Sequence, residues 1–88
     1  MKVIDGFWVR EVSGAHIAVP LRGKAREKSC IVNLNESGAL LFGLLQKGES
    51  EAALTRALLD KYEVALADAD AAVERFVAEL RAGNLLEA

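Results

Sequence analysis

At 88 residues, with 52% apolar and 27% charged side chains, the chain has room for one small folded domain and is not a disordered segment. One cysteine, Cys30, excludes an internal disulfide framework, and one histidine, His16, excludes a structural metal cluster of His and Cys ligands. The net charge of −2 conceals a step: residues 1–34 carry six basic and three acidic side chains (+3), whereas residues 35–88 carry five basic and ten acidic ones (−5).

Neither half is large enough to bury its own core, so residues 1–88 are expected to form a single domain. Met1-Lys-Val-Ile-Asp-Gly6 lacks the apolar stretch of a signal peptide. No apolar run approaches the roughly 20 residues that span a bilayer, and a cytoplasmic protein without a membrane partner is expected.

Phe7-Trp-Val-Arg-Glu-Val12 is aromatic and β-branched and stops at Ser13-Gly14. Ala15-His-Ile-Ala-Val-Pro20 follows, with Ile17 and Val19 on one face and His16 and Ala18 on the other. Two such runs with a two-residue link predict a hairpin. Pro20 cannot donate to a ladder and should end the second strand or lie on an edge. Arg22-Gly-Lys-Ala-Arg-Glu-Lys28 reads as a polar, basic loop, and a third strand is expected over about Ser29 to Leu34. Cys30 within it is expected to be a small buried hydrophobe.

From Asn35 the apolar period changes to 3.6. Asn35 is a good N-cap, and Glu36 in the first turn suits the helix dipole. A helix over about residues 36–47 is apolar on most sides, and Gly48 stops it. Ser50 caps a second helix, about residues 51–62, with Leu54, Ala57, Leu58 and Tyr62 facing inward. Asp68 is the expected cap of a third, about residues 69–82, whose apolar residues recur at helical spacing from Ala69 to Leu80. Gly83-Asn84 ends it, and Leu85-Leu86 can fold back on the core. The expected fold is α+β: a three-stranded antiparallel sheet followed by three helices, like a winged helix-turn-helix.

Three segments together resemble the PqqD family, whose members are also called RiPP recognition elements. Val32-Asn-Leu-Asn-Glu-Ser-Gly-Ala39 is similar to the family's "LNE(S/T)(G/A)" corner after the third strand. Leu44-Leu45 and "GES…ALLDKYEV" (48–64) continue it, and "VERFVAELRAGNLLE" (73–87) resembles the family's third helix and "GLL" ending, with Asn84 inserted. The resemblance implies a non-catalytic peptide chaperone without a cofactor. Such a domain binds the leader of a ribosomally made precursor as an added strand beside the third strand. It presents that precursor to a modifying enzyme such as a radical SAM protein or a lasso-peptide maturase.

On this expectation Cys30, Ile31, Val32 and Asn33 supply backbone pairing. Val73 and Val77 stand at the hydrophobic margin of the groove, Phe76 and Leu80 in the core, and Asp70 and Glu74 select basic leader residues. The nearest rival is a winged-helix DNA-binding regulator with residues 68–81 as its reading helix. That helix carries Asp68, Asp70, Glu74 and Glu79 against only Arg75 and Arg81. Nucleic-acid affinity comes mainly from neutralising phosphates, so this composition argues against a nucleic-acid partner. A third expectation is a homodimer, since an open sheet edge can pair with its own copy. His16 is expected to be a surface residue, and no catalytic constellation or metal cluster is apparent.

Overall fold

The computed structural model describes residues 1–28 and 30–87. Strands β1 (Phe7–Val12) and β2 (Ala15–Pro20) form the hairpin, then come a short helix α1 (Gly23–Lys28) and strand β3 (Val32–Leu34). Helices α2 (Glu36–Gln46), α3 (Glu51–Lys61) and α4 (Leu66–Ala82) complete the chain. The hairpin turn has Ser13 at φ 51° and Gly14 at φ 82°. Two positive φ angles are what a type I′ turn requires, and its twist matches that of the strands it joins.

The sheet is antiparallel in the order β1-β2-β3, with Ala18 opposite both Val9 and Val32. Directly opposed residues share a face. Ala18, Phe7, Val9, Val32 and Leu34 therefore make the inner face, and all belong to the core or pack against it. Phe42 of α2 is fully buried and meets the Phe7 ring edge-on, with centroids 5.5 Å apart. Leu45, Leu54, Val73, Val77 and Leu80 close the core from the helical side.

The stretch expected to be a basic loop is instead α1. Its Ala25 is fully buried and its backbone N–H donates to the Asp5 carbonyl at 3.0 Å. One apolar anchor thus pins a helical turn whose other side chains are polar. The third strand is shorter than expected, beginning at Val32; Ser29 lies outside the described residues.

Helix α2 keeps its expected bounds nearly to the residue. Its C-terminus closes with Gly48 at φ 84°, where the N–H groups of Gly48 and Glu49 donate to the carbonyls of Leu45 and Leu44. Helix α4 begins three residues before the expected start, at Leu66. Ala65 is its N-cap, without a side-chain hydrogen bond, and Asp68 sits inside the first turn, still suited to the dipole. At the other end Asn84, at φ 58°, takes the left-handed position while Gly83 does not. The Leu85 N–H then reaches the Leu80 carbonyl at 2.9 Å.

That turn directs the C-terminal segment onto the N-terminal one. Val3 bridges Leu86, the Ile4 N–H donates to the Leu85 carbonyl at 2.9 Å, and the Glu87 N–H to the Lys2 carbonyl at 2.8 Å. Among the described residues, no helix is long and apolar enough to cross a membrane.

Candidate binding groove

A central strand satisfies its backbone on both sides, whereas a terminal strand leaves one row of N–H and C=O groups open. β3 is terminal in the sheet, with β2 as its neighbour. The C-terminal segment does not cover its outer edge, because that segment pairs with residues 2–4. β1 is the other terminal strand, but its first carbonyl, that of Phe7, already accepts from Gln46 Nε2 at 3.0 Å.

The corner after β3 is rigid. Asn35 has extended backbone, and its Oδ1 accepts from the Gly38 N–H at 2.7 Å and from Ser37 Oγ at 3.2 Å. Two donors converging on this one acceptor oxygen fix the entrance of α2 against the end of β3. Gly38 leaves space at this corner. A Cβ there would lie 2.9 Å from Asn35 Oδ1, 3.5 Å from Phe76 Cε1 and 3.6 Å from Leu34 Cδ2. The bare glycine leaves room for the Asn35 cap; against Phe76 and Leu34 a Cβ would make only ordinary contact.

Beside this corner lies a depression of about 240 Å³, with Asn35, Ser37 and Gly38 on one side and Ala72, Arg75, Phe76 and Glu79 of α4 on the other. A second hollow of about 260 Å³ continues along α4 towards its N-terminus, between Ser37, Leu58, Tyr62, Val64, Asp68 and Ala72. Ser37, Leu58 and Ala72 border both hollows, which makes them one trough along α4. Its flank is tied by Tyr62 Oη, which donates to Glu36 Oε1 at 3.1 Å, and by Lys61 Nζ, 3.9 Å from the same carboxylate. The Tyr62 phenol is pushed above its ordinary value of 10.0, first by desolvation and then by the hydrogen bond to Glu36 and its charge.

The residues expected to form the site divide. Val32 is partly buried against the core, Asn33 is exposed, and both lie in β3. Cys30 and Ile31 precede the strand; Cys30 is exposed, not a buried hydrophobe, because it lies beyond the last ladder pair, Ala18–Val32. Val73 and Val77, expected at the groove margin, are each only 2% exposed and belong to the core. Leu80 is buried as expected, but Phe76 is only partly so and faces the depression.

Asp70 and Glu74 also fall elsewhere. They lie roughly 160–200° around the helix from Ala72, at about 100° per residue. Asp70 accepts from Thr55 Oγ1 at 3.0 Å and borders a separate hollow between α3 and α4. The charged side chains on the groove side are Asp68, Arg75 and Glu79, and these escaped the sequence reading together with Asn35, Ser37, Ala72 and Phe76 as lining. The signal for them was the phase of the apolar stripe. With Ala69, Val73, Val77 and Leu80 taken as its centre, Ala72 and Phe76 fall on one shoulder.

His16 is half-buried on the inner face, opposite Leu34, and not a plain surface residue. Among the described residues no group of three or more His, Cys, Asp or Glu side chains is placed to hold a metal, and no buried side-chain N or O lacks a partner.

Comparison with known proteins adds to this geometry. The family model of PqqD, coenzyme PQQ synthesis protein D, matches residues 25–86. Two solved structures share the fold at low identity. TbiB1 in complex with the TbiA(beta) leader peptide is 20% identical, with a TM-score of 0.77 over 99% of this chain and 95% of that one. Lasso peptide synthetase B1 complexed with the leader peptide is 22% identical, with a TM-score of 0.69 over 91% of this chain and 88% of that one. No curated protein matches the chain in sequence.

Proposed function

The chain belongs to the PqqD family, and from that membership we propose that it binds the leader segment of a ribosomally made precursor peptide and presents it to a modifying enzyme. The observation that carries this reading is the terminal position of β3 beside the trough along α4. The similar folds that bind leader peptides support it.

An extended peptide adds as a fourth strand on β3, pairing with the backbone of Val32–Leu34, in the mode of β-augmentation. Magnitudes then assign the work. About three backbone hydrogen bonds return ~1.5–4.5 kcal/mol, which falls short of the ~3–6 kcal/mol needed to order three peptide residues. Affinity must therefore come from apolar leader side chains buried against Phe76 and Ala72, at about 1.5–3 kcal/mol apiece. Asp68, Arg75 and Glu79 on the rim supply charge selection in place of Asp70 and Glu74. The domain itself carries out no chemistry on the peptide; the modifying enzyme, a radical SAM protein or a lasso-type maturase, does so.

The test is fluorescence anisotropy of the labelled leader of its precursor peptide, against a scrambled leader and a duplex DNA. Saturable binding of the native leader alone is expected. Preference for duplex DNA with a steep salt dependence would instead favour the winged-helix regulator.

A further inference from the structure

All the long helices pack on one face of the sheet. On a sheet with one wet face the strands should alternate apolar-in and polar-out. Here the outer face breaks that rule. β1 turns Trp8, Arg10 and Val12 outward, opposite Val19, Ile17 and Ala15 of β2. Trp8 is 48% exposed and Val12 44%, and Ile31, just before β3, is 57% exposed. The Arg10 guanidinium lies 4.6 Å above the Trp8 ring centroid, which holds both side chains in one arrangement. Beside them a hollow of about 290 Å³ opens between Trp8, Leu21 and Arg22.

We infer that this outer face, centred on Trp8 and Arg10, is the docking surface for the modifying enzyme, through an apolar patch on that enzyme that carries carboxylates. Charge and area select this occupant. Glu11 points to the inner face, so Arg10 is the one ionisable side chain among the outward residues of β1, β2 and β3, and a carboxylate is what it lacks. A second copy laid face to face on this patch would set Arg10 against Arg10. Two strands of six residues and one of three, about 4.8 Å apart, present only about 240 Å². A stable dimer needs about 800 Å² per partner, so the patch suits a smaller, transient contact. Trp and Arg are also the side chains in which binding energy concentrates.

The assignment rests on the leader-binding function proposed above and adds where the recipient sits. β3 belongs to both surfaces, its edge to the peptide and its outer side to this face, while the trough along α4 lies on the helix side. Peptide and enzyme can therefore occupy the domain together, the enzyme beside its substrate.

The test uses the whole chain, the enzyme that modifies its precursor, and the leader peptide, with W8S and R10E as variants. Binding of the labelled domain to the purified enzyme is expected to weaken at least tenfold in each variant. Leader affinity should stay within twofold and the melting temperature should change little. Unchanged enzyme binding in both variants, or none in the wild type, overturns the assignment. So does a concentration-dependent dimer in sedimentation that W8S abolishes. Failure of the wild type to bind its leader while it still binds the enzyme would sink the leader-binding reading and leave the surface standing.

Discussion

Val77 and Phe76 are neighbours on α4 that separate core from groove. Val77 is 2% exposed, so Val77→Ala removes about two methyl groups from a closed core. At ~0.8 kcal/mol per buried carbon plus a cavity term, the loss is about 2–3 kcal/mol. In a domain of this size that lowers the melting temperature by roughly 10–20 °C. Phe76→Ala takes away a larger ring, and full burial would make that cost about 3–5 kcal/mol. The ring is only partly covered, so about 1–2 kcal/mol of stability is expected to go. The remainder of its surface is what an added peptide would cover. Leader affinity should then fall about 5–30-fold, the equivalent of ~1–2 kcal/mol. Melting by circular dichroism and leader titration at 15 °C, where both variants stay folded, give the two readouts. If Val77→Ala weakens the leader and Phe76→Ala does not, the trough has been placed on the wrong side of α4.

Three more outcomes follow from particular contacts. Asn35→Ala removes the acceptor for the Gly38 N–H and Ser37 Oγ, and should lower stability by about 1 kcal/mol in urea unfolding. Gly6→Ala is far worse: at φ 110° a Cβ would stand 1.8 Å from the Arg22 carbonyl oxygen, so the backbone must move. A loss above ~3 kcal/mol is expected, and a soluble variant with unchanged unfolding midpoint would contradict the geometry. Tyr62, the chain's single tyrosine, should ionise above pH 10.0 when followed by ultraviolet absorbance, and Glu36→Gln should bring the midpoint back towards 10. Because the folded state holds that proton more tightly, the contribution is complete below pH 10 and fades as pH rises through the raised value.

Where local chemistry decides structure, the sequence was legible. The Ser-Gly hairpin, the Asn35 and Ser50 caps, the Gly48 stop and the docking of Leu85 each depend on residues within a turn of one another. α1 was missed because its only apolar anchor, Ala25, gives no periodic signal in six residues, and its burial depends on Asp5 and Gly6 twenty residues earlier. Val73 and Val77, expected at the groove margin, are buried, and the hollow lies on the shoulder of α4 that carries Ala72 and Phe76. An apolar stripe running from Ala69 to Leu80 does not say which of its borders meets β3; the corner at Asn35 and the gap over Gly38 decide that. Asp70 likewise reads as a free flank residue until Thr55 of α3 is seen donating to it.

The most direct test is amide hydrogen exchange by NMR on the labelled domain, with and without saturating leader peptide. Leader should slow exchange at the β3 amides between Val32 and Leu34 that point away from β2, by tenfold or more, and shift the Phe76 ring signals with them. Protection absent from β3, or confined to the hollow between α3 and α4, would contradict strand addition at this edge.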